Sequence, residues 1–213
     1  MMKEIILLEQ QIKELEAIYE KLQQEYERVA GVLDFSCNGC PDNCCDSYFL
    51  HHTYAEWAYL WLGVRQLEPE RQQNLIARAT TYVEQCEREL EAGRRPQVMC
   101  PLNEGGLCVL YEHRLLVCRT HGVPASMTRP DGRTLWFPGC FRCQEIVDAR
   151  YVQGPPPYVE RTPLLRKLAL LENELLENKR HLVPKVNITI AGMLMQGPPQ
   201  IASCFPEDKN EKS

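Results

Sequence analysis

At 213 residues the chain is long enough for one generous domain with helical additions, and its apolar and charged fractions, 44% and 25%, are those of an ordinary folded protein. A formal net charge of −5 with no basic run excludes a nucleic-acid or anionic-membrane surface, because both call for a face rich in Lys and Arg. Acidic residues interrupt the apolar N-terminal stretch and no later apolar run reaches membrane-spanning length, so the chain reads as cytoplasmic and without a membrane segment.

Apolar residues at Ile5, Leu8, Ile12, Leu15, Tyr19, Leu22, Tyr26, Val29 and Leu33 recur in alternating steps of three and four. That heptad seam predicts a long amphipathic helix within residues 1–34. Two tyrosines on the seam and Ile18 beside it widen the apolar face beyond a two-stranded stripe, which favours packing in a larger bundle. The alternative is a homodimer, or a protein partner, held through this helix.

Residues 37–45 read Cys-Asn-Gly-Cys-Pro-Asp-Asn-Cys-Cys. Gly39, Pro41, Asp42 and Asn43 turn the loop back on itself, and it has little apolar material of its own, so a metal centre is the leading candidate for what holds it. Residues 53–67 follow, rich in Ala, Leu and aromatics. Glu68-Pro69-Glu70 then opens a second helix that runs to about Ala92 and is stopped by Gly93. Its buried face reads Leu75, Ile76, Ala79, Tyr82, Val83, Cys86 and Leu90, which makes Cys86 a small core residue. Trp57 and Trp61, one turn apart, read as core rather than as a cofactor platform.

Residues 94–144 break into short segments punctuated by Pro and Gly, with Cys100, Cys108, Cys118, Cys140 and Cys143 among them. Gly105-Gly106 and Pro130-Asp131-Gly132 read as turns, the latter between short extended pieces. Together with the cysteine loop this gives a metal-binding region over residues 35–150 with inserted helices. Residues 151–161, containing Gly154-Pro155-Pro156-Pro157, form a stiff connector. Thr162-Pro163 caps a helix reaching about Leu182, whose leucines at 164, 168, 171, 175 and 182 suit packing on the N-terminal helix. Val186, Ile188 and Ile190 alternate as in a short strand closing the 162–205 segment, and the charged residues 206–213 read as a disordered tail. The fold class is therefore mainly α: a helical bundle with an irregular, small-β, cysteine-rich metal-binding region.

Eleven cysteines is an odd number, and CxxC spacing at Cys37/Cys40 and Cys140/Cys143 suits metal chelation in a reducing compartment better than a secreted disulfide framework. A thioredoxin-like dithiol needs its CxxC at a helix start after a strand, and neither pair is expected there. Pro41 and Gln144 stand where covalent haem attachment requires His, and Ser47 stands where a CxxxCxxC motif requires its third cysteine. In an extended chain Cys44 and Cys45 point to opposite sides, serving two centres or one centre and a neighbour. Cys37, Cys40, Cys44, Cys45, Cys100, Cys108, Cys118, Cys140 and Cys143 are nine candidate ligands, enough for two four-cysteine sites with one left over. His121 is either a further ligand or a hydrogen-bonded loop histidine.

Cys37-x-x-Cys40 leading to Cys44-Cys45, then Cys100-Pro-Leu, Gly106-Leu-Cys108, Tyr111, Arg114 and Cys118-Arg119, resembles the zinc- or iron-chelating, YkgJ-type cysteine cluster (CxxCxxCC) family over roughly residues 36–143. Leu115 stands where that pattern usually has Pro, and the gap between Cys40 and Cys44 is one residue longer. The resemblance implies a metal or iron-sulfur centre held by those cysteines, and a relation to the cysteine cluster of flagellin lysine methylases.

Two functions follow. An iron-sulfur protein with a redox or electron-transfer role would use the surplus of cysteines over one zinc site, with Trp136, Phe137 and Phe141 shielding a cluster or serving as core, and with Arg114 and Arg119 donating to sulfurs or pairing at the surface. A non-enzymatic zinc module would instead use one or two closed thiolate sites as staples. No HExxH, nucleophile elbow, phosphate loop or paired acids are present, so no catalytic residue is assigned.

Overall fold

The computed structural model describes residues 2–38, 40 and 44–202. The tail at 206–213 and Cys204 lie outside the described residues, as do Gly39 and residues 41–43 of the cysteine loop. In chain order the elements are β1 (Met2–Glu4), α1 (Glu9–Leu33), α2 (Tyr54–Val64), α3 (Pro69–Glu91), β2 (Asn103–Glu104), β3 (Leu107–Cys108), α4 (Leu116–Thr120), β4 (Ala125–Thr128), β5 (Thr134–Phe137), α5 (Phe141–Arg150), β6 (Val159–Glu160), α6 (Thr162–Leu175), α7 (Ile190–Gln196) and β7 (Gln200–Ala202). The protein is mainly helical, and none of its described helices is long and apolar enough to cross a membrane.

The heptad seam becomes α1, whose Leu15, Leu22, Val29 and Leu33 are wholly buried. The helix begins at Glu9 rather than near Ile5. Residues 2–4 pair antiparallel with β7, the Ile5 amide donates to the Pro199 carbonyl at 2.8 Å, and the Gln11 side chain accepts the Leu8 amide at 3.0 Å to start the helix. Ile5 fits the helical spacing and a buried extended segment equally well, and strand pairing decides between them. At its other end α1 stops where Asp34 turns left-handed (φ 51°).

The central helix α2 is buried on all sides except at Leu62, as a helix that is apolar all round must be. The Trp57 and Trp61 indoles donate to the carbonyls of Gly197 and Met193 at 2.9 and 3.0 Å, which satisfies their one polar atom inside the core. Around α2 lie α1, α3, α6 and α7, with α6 against both α1 and α2 and α7 against α3. Ile76 of α3 remains exposed because it lies beside the buried stripe Leu75, Ala79, Tyr82 and Cys86, and Leu90, past the buried end of that stripe in the last turn, is exposed as well.

Two C-terminal expectations are corrected. The helix begun by Thr162 ends at Leu175, because Glu177 and Asn178 adopt left-handed backbone (φ 53° and 61°); Leu182 falls in a separate 3₁₀ turn, Arg180–Leu182. The alternation at Val186, Ile188 and Ile190 forms only one bridge, Ile188 with His51, before Thr189 caps α7 by accepting the Gly192 amide at 3.1 Å.

The cysteine-rich segment holds the small sheets. β2 and β3 form a hairpin through Gly105 and Gly106, both at positive φ (59° and 90°), where a Cβ would be strained. The second sheet has the order β5-β4-β6, with β4 and β5 antiparallel across the turn at residues 130–132 and β6, inside the proline-rich connector, parallel to β4. This segment also contains two helices that its broken sequence pattern hides, α4 and α5.

Candidate metal centre

The nine candidate cysteines separate into two sets and one remainder. Cys45 lies on a 3₁₀ turn (Cys44–Asp46), Cys100 just before the β2–β3 hairpin, Cys108 on β3 and Cys118 on α4. The first two are tied by backbone, the Cys100 amide donating to the Cys45 carbonyl at 2.9 Å; the hairpin follows, with the Val109 amide on the Leu102 carbonyl at 2.8 Å. Burial pushes the Cys118 thiol up to about 12, and the charges of Cys108 and Cys45 push the same way. Cys100 is raised for the same reasons, burial first and then the neighbouring Cys118, Cys45 and Cys108. Cys108, raised by burial, also feels Cys45.

The second set stands at the C-terminal end of α1. The Cys40 amide donates to the Cys37 carbonyl at 3.1 Å, closing the first turn of the loop. Across from it, Cys140 is the N-cap of α5 and Cys143 lies in its first turn. Burial raises the Cys140 thiol, with Cys37 and Cys40 adding to the effect; burial also pushes Cys143 up to about 12, aided by Cys140 and Cys37. Cys143 is completely buried in a small apolar cluster with Val29, Leu33, Phe35, Val123, Ala125 and Val159. Gly139 fixes the approach: at φ +87° it passes the Gly122 carbonyl so closely that a Cβ would lie 2.5 Å from the oxygen, and the next amide, of Cys140, donates to that same carbonyl at 3.0 Å.

Cys44 is the remainder. The extended geometry expected for Cys44 and Cys45 is replaced by the 3₁₀ turn, and the two thiols touch: Cys44 donates to Cys45, which raises Cys44 and lowers Cys45. Cys44 also feels Cys37 of one set and Cys118 of the other. It stands between them.

Hydrogen-bond donors oppose the burial of these sulfurs. Backbone N–H groups two or three residues on lower Cys100 (from Leu102), Cys108 (from Leu110) and Cys140 (from Cys143 and, less, Arg142), each favouring the thiolate. The Arg114 charge lowers Cys45, Cys108 and Cys118, and Arg119 lowers Cys108. The Asn103 carboxamide lowers Cys45 as well, at a geometry short of a complete hydrogen bond that leaves its buried Nδ2 without a partner. A donor set of soft sulfurs surrounded by N–H groups fits a thiophilic metal or an iron-sulfur cluster. As they stand, no group of three or more His, Cys, Asp or Glu side chains among the described residues is arranged to hold a metal ion, and the ten described cysteines form no disulfide with one another.

Neither a family model, nor a curated protein, nor a solved structure matches this chain. The site therefore rests on its own residues.

Several expectations change here. Cys140/Cys143 does begin a helix after strand β5, but β5 runs antiparallel to β4, and the buried, raised Cys143 thiol is unlike an activated dithiol. Trp136, Phe137 and Phe141 are 57%, 37% and 54% exposed, so none of these three covers Cys143; Phe35 and aliphatic side chains do. His121 packs edge-on against Phe49 with ring centroids 5.0 Å apart; burial lowers it, and its charged neighbours are Arg161, Arg95 and Asp46 rather than cysteines. Cys86 is a buried α3 residue bonded to Tyr82. Tyr26 and Asn103 are additions: the Tyr26 hydroxyl lies 3.5 Å from Cys37 Sγ, and its place on the heptad seam disguised it as core.

Proposed function

We propose that this chain is a cysteine-ligated metal-binding protein with two four-thiolate centres, Cys45/Cys100/Cys108/Cys118 and Cys37/Cys40/Cys140/Cys143, occupied by iron-sulfur clusters in a redox or electron-transfer role. The observation that supports this reading is that burial raises five of these thiols, with neighbouring cysteines adding to it: Cys45 and its neighbours act on Cys100, Cys108 and Cys118, and Cys37 acts on Cys140 and Cys143. Such crowding of like charge is unfavourable for bare thiolates and is relieved when a cation takes their protons' place. The resemblance to the YkgJ-type family and a reducing, cytoplasmic setting belong to the same proposal. A cluster would supply one-electron chemistry. The chain would supply eight thiolates, the N–H groups of Leu102, Leu110, Cys143 and Arg142 that favour the charged sulfurs, and the Arg114 guanidinium that offsets the charge of the first set.

One feature favours a second reading, a structural zinc module. Residues 97–113 are short extended pieces and turns with few buried apolar side chains, a segment that a closed zinc site would staple. Anaerobic purification followed by a visible spectrum and metal analysis separates the two. A brown protein holding iron and inorganic sulfide is the expected result. A colourless protein carrying stoichiometric zinc overturns the iron-sulfur reading, and a protein that binds neither metal overturns both.

A further inference from the structure

A cleft of about 550 Å³ that no cysteine lines opens between His52 and the α6–α7 connection. Its walls carry Arg180, Lys185, His52 and His181, its apolar lining is Val183 and Val186, and none of its described lining residues is acidic. In a chain of net charge −5 this is a local reversal of sign. We propose that the cleft binds a phosphate-bearing small molecule, with Arg180 and Lys185 as the charged contacts.

Arg180 is the built part of the site. Its Nε lies 3.4 Å from a Glu172 oxygen, one N–H reaches the Pro184 carbonyl at 3.4 Å, and its guanidinium sits 5.8 Å from the Tyr54 ring centre. The Glu172 carboxylate is itself engaged by the Tyr54 and Ala55 amides at 3.0 and 2.9 Å, so its charge is shared with the N-terminus of α2 rather than spent on Arg180 alone. A guanidinium fixed in this way meets an anion at a smaller entropic cost than a flexible surface cation, and its planar fork matches phosphate oxygens. The left-handed pair Glu177 and Asn178, with the Asn173 amide donating to Asn178 Oδ1 at 2.6 Å, shapes the connection that carries Arg180 and Lys185 to the rim. A volume of this size suits a small molecule, and the acidic balance of the whole chain disfavours an extended polyanion such as nucleic acid.

The test is calorimetric titration of the full-length, metal-loaded protein with pyrophosphate and with inorganic phosphate. Saturable binding of one pyrophosphate per chain is expected, weakened roughly tenfold in the double variant His52→Ala/Lys185→Ala, which removes two exposed side chains. Lys21→Ala, on the exposed face of α1, serves as the charge control and should bind as the parent does. An unchanged melting temperature establishes that the double variant is folded. Absence of saturable binding, a double variant that binds as the parent does, or an equal loss in Lys21→Ala overturns the proposal. The result is independent of which metal, if any, the thiols hold.

Discussion

Replacing Cys118 with Ser is expected to empty one centre and leave the other filled, halving the metal per chain. The cysteines that act on Cys118 are Cys108 and Cys45, whereas those that act on Cys143 and Cys140 are Cys37, Cys40 and Cys140 itself. A serine hydroxyl is a poor substitute for a soft sulfur ligand. Because such centres form only as the chain folds, losing one removes stabilisation of several kcal/mol, and the melting temperature falls with the metal content. Cys143→Ser should produce the mirror result and empty the second set. Cys86→Ser, in the α3 core, should cost about 1–3 kcal/mol for burying a hydroxyl yet retain all the metal. Full metal content after both Cys118→Ser and Cys143→Ser would show that these thiols are not ligands.

Glu56→Ala is expected to destabilise the fold by about 3–5 kcal/mol and to loosen the Cys118 set more than the Cys143 set. Glu56 is only 5% exposed. One carboxylate oxygen accepts the Leu116 amide at 2.8 Å and lies 3.5 Å from the Tyr19 hydroxyl; the other accepts the Thr53 hydroxyl at 2.9 Å. Leu116 opens α4, the short helix carrying Cys118, so Glu56 is a positioning residue that anchors this helix to α2. Alanine strands all three donors, whereas Glu56→Gln keeps most of the shape and should cost about 1–2 kcal/mol. Burial holds the Glu56 carboxyl above its usual range despite these donors, so the folded state binds its proton more tightly than the unfolded state does. The resulting stability is fully present below the ordinary carboxylate pKa and is lost as pH rises through the folded value. Denaturant midpoints of Glu56→Gln should therefore vary less with pH across that window than those of the parent. An equal pH dependence would contradict this placement of the charge.

Long-period features were legible in the sequence, while features set by a single backbone angle or a distant partner were not. The seam from Leu15 to Leu33 identified α1, and the paired glycines at 105 and 106 identified a turn, which joins β2 and β3. The end of α6 was hidden because Glu177 carries no signal for positive φ, the left-handed tendency of Asn178 is weak on its own, and leucine spacing continues past them to Leu182. α5 was hidden because Phe141 and Ile146 are followed by no regular apolar stripe; only Cys143 is fully buried on that helix. At the site, CxxC spacing singled out four cysteines and their clustering five more, but which of them lie near one another depends on β2–β3 folding Cys108 toward Cys100 and on Gly139 passing Gly122. Spacing along the chain does not encode those contacts. The geometry of Cys44 and Cys45 was misread for the same reason, since the 3₁₀ turn, not an extended chain, sets where adjacent side chains point.

The central claim is that eight thiolates divide into two centres, and anomalous scattering from crystals of the metal-loaded protein tests it most directly. The expected map has two separate metal positions, one bounded by the sulfurs of Cys45, Cys100, Cys108 and Cys118 and the other by those of Cys37, Cys40, Cys140 and Cys143. A single metal position drawing sulfurs from both sets, or metal held by groups other than these eight sulfurs, would contradict it.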